Sequence, residues 1–119
     1  MQGLAASTAA VVVVYHLATD IEPALRLLKR SVARLLVVDN HEQAHPQLAD
    51  LTQRLQVDCL SGGNVGGLAG AYNRALAWLQ GQAPQVAQVV FLDEDSDPSS
   101  LAALLTDDTT AKTLARPDT

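Results

Sequence analysis

Four carboxylates fall within five residues at Asp93-Glu94-Asp95-Ser96-Asp97, directly after the apolar run Val89-Val90-Phe91-Leu92. Adjacent like charges repel, so the cluster is costly without a compensating cation. Hard oxygen donors at this spacing suit a divalent ion such as Mg²⁺ or Mn²⁺. Such an ion bridges to a diphosphate and stabilises it as a leaving group. From the cluster alone, a solvated acidic turn with Asp97 capping the next helix is an equal alternative. Ser96-Asp97-Pro98 does not continue the glycine-bearing loop of an EF-hand.

A second candidate is the loop Ser61-Gly62-Gly63-Asn64-Val65-Gly66-Gly67. Glycines let backbone approach a ligand closely, and amides at a helix N-terminus favour phosphate. No Gly-Lys-Ser/Thr follows, so this is not a P-loop. The dinucleotide fingerprint lacks its first glycine. A plain turn is the competing reading. A third candidate is Asp39-Asn40, where the carboxylate can accept from a ribose hydroxyl or a base N–H. An Asx turn is the alternative there. His16 reads as a polar loop residue, and His41 and His45 as surface residues beside Pro46. Cys59 lies in an apolar run and reads as a small core residue. No Ser-His-Asp or Cys-His pairing stands out, so nucleophilic hydrolase chemistry lacks support.

The elements that must position these residues alternate. Val11–Val14, Leu35–Val38 and Val89–Leu92 are short continuous apolar runs, the pattern of strands covered on both faces, and Val57-Asp58-Cys59-Leu60 reads as a short third strand. Between them lie helical stripes. Thr19 or Asp20 can cap the first, which tolerates Pro23 and aligns Leu25, Leu28 and Val32. His45-Pro46 breaks the chain before Leu48, Leu51 and Leu55. Leu68, Tyr72, Leu76 and Leu79 mark a third stripe, and Asp97-Pro98 starts a last helix with Leu101, Leu104 and Leu105. Such alternation implies βαβ crossovers and a Rossmann-like, three-layer α/β fold: a parallel sheet with helices on both faces. Ligands bind outside the carboxyl ends of such strands. His16, Asp39-Asn40, the glycine loop and Asp93–Asp95 therefore converge on one edge.

The bulk composition sets limits. A chain of 119 residues suffices for one domain. Apolar residues make up 48%, which supports a packed core, and aromatics only 3%, so aliphatic side chains must fill it. The net charge of −5 excludes a broad electrostatic attraction to nucleic acid. Cys59 is the only cysteine, so no internal disulfide forms; this fits a reducing, cytoplasmic compartment, including the inner face of a membrane. Residues 1 to 14 lack the Lys or Arg of a signal peptide, and the apolar run there is far short of the ~20 residues that span a bilayer.

Together these segments resemble family 2 glycosyltransferases with the GT-A fold, especially the rhamnosyltransferase-like branch. Val12-Val13-Val14-Tyr15-His16 is similar to the family's first strand, which ends Thr-Tyr-Asn. Leu36-Val37-Val38-Asp39-Asn40 is similar to the second. Gly63-Asn64-Val65-Gly66-Gly67, with the helix running through Asn73, resembles the Asn-x-Gly loop. Phe91-Leu92-Asp93-Glu94-Asp95-Ser96 resembles the D-x-D motif in its Leu-Asp-Gln-Asp-Ser form. The resemblance spans roughly residues 10 to 105. His16 stands where the family has Asn, and His41-Glu42 replaces Gly-Ser.

The resemblance implies a partial GT-A fold that binds a dTDP- or UDP-linked sugar through Mg²⁺ or Mn²⁺. Asp39 contacts the nucleobase, Asp93 faces the ribose and diphosphate, and Asp95 with Asp93 holds the metal. Tyr15, His16, Asn40, Asn64, Gly66, Asn73 and Glu94 complete the expected donor site. Residues 1–9 are expected as a flexible start and 10–106 as the donor-binding domain. Residues 107–119 read as a tail or the start of an acceptor half, so a saccharide acceptor would be met only in a longer form. No residue takes the role of catalytic base. A non-catalytic α/β interaction or regulatory module is the alternative. A dinucleotide binder is opposed by the incomplete glycine fingerprint. A phospho-receiver is opposed by the lack of a strand before Lys112.

Overall fold

The computed structural model describes residues 7–17 and 20–93. Strands β1 (Thr8–Val14), β2 (Arg34–Asp39), β3 (Asp58–Ser61) and β4 (Gln88–Asp93) alternate with helices α1 (Glu22–Ser31), α2 (Pro46–Leu55) and α3 (Gly67–Gln82). All strand pairs are parallel, in the order β3-β2-β1-β4. The registers Val12↔Val37 and Val12↔Leu92 place β1 squarely between β2 and β4.

Every residue of β1 is buried, which explains its unbroken run of small and β-branched side chains. Alternate residues face opposite layers. Ala10, Val12, Val14, Leu35 and Val37 pack with Leu25 and Leu28 of α1 and Leu48, Leu51 and Leu55 of α2. Ala9, Val11, Val13, Leu36 and Val38 pack against Ala71, Ala75 and Leu79 of α3. The result is the expected α/β, Rossmann-like arrangement of three layers.

β1 starts earlier than expected. Thr8 and Ala9 belonged to the supposed flexible start, yet both are fully buried. Thr8 O accepts from Ala33 N at 3.0 Å, and Ala87 N donates to Ser7 O at 2.7 Å, so the ladders on both sides reach back to these residues.

The N-cap of α1 is Ile21, which makes no side-chain cap, so the expected cap shifts: Asp20 Oδ1, one residue earlier, accepts from Glu22 N at 3.0 Å, with Pro23 in the first turn. Extended His45 precedes Pro46 at the start of α2. In α3 the expected stripe needs correction. Leu68 and Leu76 are each 39% exposed, while Ala71 and Ala75 are fully buried. The inner face of α3 is made of Ala71, Ala75 and Leu79, and Leu68 and Leu76 fall on its flanks. Tyr72 is half-buried and its ring centroid lies 4.1 Å from that of Phe91.

The helix expected from Asp97, the residues Thr19, Glu94 and Asp95, and the segment 107–119 lie outside the described residues. Among the described residues no helix is long and apolar enough to cross a membrane.

Candidate functional site

The carboxyl ends of the four strands share one edge of the sheet. From β1 the chain reaches β2 by α1, packed on one face, and β3 leads to β4 by α3 on the other. The switch point therefore lies between the ends of β1 and β4, where an open α/β sheet leaves a crevice. Tyr15 is half-buried and His16 exposed just past β1, and Asp93 is exposed at the end of β4. Tyr72 of α3 joins them. Burial first, then the nearby Asp93 charge and Tyr15, raises its phenol above the ordinary tyrosine value.

Asp39 ends β2 with almost no exposure. Its Oδ1 accepts from His41 N at 3.1 Å and lies 2.6 Å from His41 Nδ1; its Oδ2 accepts from His45 N at 2.7 Å. A carboxylate only accepts, so Nδ1 of His41 carries the proton of this contact. Burial by itself would raise the Asp39 carboxyl. The hydrogen bonds from His45 N–H, the His41 ring and His41 N–H outweigh it and hold the group below the usual aspartate value.

Two expectations change here. The Asx turn is present, and the carboxylate is turned inward onto its own loop rather than toward the open edge. The histidines are not surface residues. Both are half-buried, with ring centroids 4.8 Å apart, and His45 Nδ1 is buried with no hydrogen-bond partner.

Asn40 is equally buried and joins the strand ends to the glycine loop. Its N–H donates to Val14 O at 2.9 Å. Its Nδ2 donates to Asn64 Oδ1 at 2.9 Å, with Gly67 O at 3.5 Å. Its Oδ1 accepts from Arg74 Nη2 at 3.0 Å. The loop itself is a run of left-handed residues: Gly63 at φ +64°, Asn64 at +61°, Gly66 at +77° and Gly67 at +60°. Glycine tolerates this conformation, and asparagine is among the side chains that tolerate it best. Gly66 serves as N-cap of α3 with no side-chain cap.

The loop is thus more than a plain turn, since buried side chains fix it to β2. Asn73, by contrast, is exposed on α3, and its neighbour Arg74 makes the contact to the strand ends. The sequence places Tyr72 in a helical stripe and His41 and His45 on the surface, and assigns Arg74 no role. For Arg74 a signal existed: Gly66, Gly70 and Arg74 recur every four residues, which lines them up on one helix face.

Asp93 is the one described member of the expected metal pair. Among the described residues no group of three or more His, Cys, Asp or Glu side chains is placed to hold a metal ion. Cys59 is half-buried, and burial raises its thiol above the ordinary value, so it is a poor nucleophile. The edge therefore gathers the backbone of the glycine loop with Tyr15, Tyr72, His41 and Asp93.

Comparison with protein-family models finds no match, and comparisons with curated proteins and with solved structures find none either.

Proposed function

We propose that the chain is the donor-binding part of a glycosyltransferase, holding a nucleotide-diphosphate sugar at the carboxyl edge of its sheet. One observation carries the reading. The carboxyl edge of the sheet carries Asp93 at the end of β4, Tyr15 just past β1, and the glycine loop that Asn40 holds at the end of β2, with Tyr72 of α3 packed on Phe91 of β4. Of the segments that resemble family 2 enzymes, two run to the carboxyl ends of β1 and β2, one reaches Asp93 at the end of β4, and one supplies the loop before α3.

In this reading the nucleoside lies toward the β2 end and the diphosphate toward β4. Because Asp39 is spent on its own loop, the loop backbone beside it takes over the contact to the nucleoside. Asp93 and Asp95 would hold Mg²⁺ or Mn²⁺, whose charge would balance the diphosphate; their hard oxygen donors suit either ion. Tyr15 and Tyr72 would wall the crevice and exclude water on the α3 side.

The test is a melting experiment with Mn²⁺ plus UDP or dTDP. At one hundred times Kd, ligand binding adds about 2.7 kcal/mol, a rise of about 10 °C for a domain of this size. Asp95→Ala should abolish the response. No shift at saturating nucleotide and metal refutes the proposal.

A second reading, a non-catalytic interaction module, draws on the apolar flank of α3. Val65 is 70% exposed, beside the half-exposed Leu68 and Leu76. Concentration-dependent self-association with no response to nucleotide would favour it.

A further inference from the structure

We infer that Arg74 is a positioning residue: its guanidinium clasps the 62–67 loop against the end of β2 and sets the loop's conformation before any ligand arrives. Its service to a nucleotide rests on the reading above. The clasp itself does not.

Three contacts define it. Nη2 donates to Asn40 Oδ1 at 3.0 Å, and Nη1 donates to Val65 O at 2.8 Å. The planar group lies across Gly62, where a Cβ would collide with Cζ and Nε. One end of the fork therefore grips the buried amide that closes β2, and the other grips the loop backbone. Asn40 passes the constraint on through Nδ2 to Asn64 Oδ1. Gly70, one turn before Arg74, is needed for the same closure, because a Cβ there would run into Val65 O.

The loop requires such a fastening. It holds four left-handed residues in five, and its own backbone hydrogen bonds, Val65 N to Gly62 O and Gly67 N to Asn64 O, are both 3.2 Å. A glycine-rich segment has many other conformations open to it. A lysine in place of Arg74 would keep the charge. Its single ammonium lacks the flat fork that reaches two acceptors while stacking on Gly62.

The experiment measures amide hydrogen exchange at Val65 and Gly67 in ligand-free protein, referenced to Val37 in the sheet. Arg74→Ala should speed exchange at both loop amides at least tenfold with Val37 unchanged, and millimolar guanidinium should slow it again. Arg74→Lys should remain fast. Gly62→Ala, which leaves the arginine in place but pushes its guanidinium aside, should reproduce the loss in a chain whose α3 sequence is intact.

Unchanged loop exchange in both Arg74→Ala and Gly62→Ala overturns the clasp, as does full restoration by Arg74→Lys. A parallel titration with Mn²⁺ and UDP separates the two claims. If the wild type binds no nucleotide while the loop still loosens in the variants, the donor-site reading fails and the clasp stands. If it binds, Arg74→Ala should weaken affinity about tenfold.

Discussion

Replacing Asp39 by Asn removes one of the two oxygens that organise the β2–α2 loop. The amide can keep its oxygen toward His41, where the ring and the backbone N–H lie 2.6 and 3.1 Å from Oδ1. It then turns its NH₂ toward His45 N, which now donates to Oδ2 at 2.7 Å. A hydrogen bond to a charged group is lost, about 1.5–3 kcal/mol, and two buried donors face each other, about 1–3 kcal/mol more. The net loss is about 3 kcal/mol, a fall in melting temperature of roughly 10–15 °C. The assay is thermal and urea unfolding of both proteins by circular dichroism across pH.

The pH profile sharpens the test. The folded carboxyl titrates below the unfolded aspartate value of 3.8, so its contribution is complete above that pH. It is lost as pH falls through the folded value. The gap between wild type and Asp39→Asn should therefore be widest at neutral pH and close progressively below pH 3.8. Equal stability at pH 7, or a gap that persists undiminished at pH 2, refutes the reasoning.

Other substitutions test the packing. Leu79→Ala, at a site 3% exposed, should cost about 2–5 kcal/mol, whereas Leu76→Ala on the flank should cost under about 1 kcal/mol; urea midpoints separate them. Gly70→Ala should destabilise by about 1–3 kcal/mol, since the added methyl overlaps Val65 O, and a neutral result in the same unfolding assay would contradict the loop geometry. Cys59 should react slowly with a thiol reagent at pH 7.5 and quickly in denaturant, because burial raises its thiol; rapid native labelling would place it on the surface.

The strands were readable because burial on both faces writes itself as an unbroken aliphatic run, as in Val11–Val14 and Leu35–Val38. Helices α1 and α2 were readable because their leucines repeat with the helical period over a polar background. Helix α3 misled for a physical reason. Large side chains at helical spacing suggest burial, but the face of α3 that meets the sheet carries Ala71 and Ala75. The site divides similarly. Asp39, Asn40 and the glycine loop announced themselves by residue type at strand ends. Their partners did not, because His41, His45 and Arg74 acquire meaning only when the loops close on them. A carboxylate at a strand end looks the same in sequence whether it faces a ligand or its own turn.

The alanine face of α3 has a consequence for how the molecule comes apart. Leu25, Leu28, Leu48, Leu51 and Leu55 anchor one outer layer, whereas a sixteen-residue helix on the other side is fully buried only at Ala71, Ala75 and Leu79. Buried apolar area sets the free energy of detachment, so among the described residues α3 is the layer expected to release first. This layer carries Arg74 and begins at the glycine loop. Transient release of α3 would thus undo the carboxyl edge while the sheet and its leucine-rich side stay folded. Anything that occupies that edge would in turn be felt along the whole length of the helix.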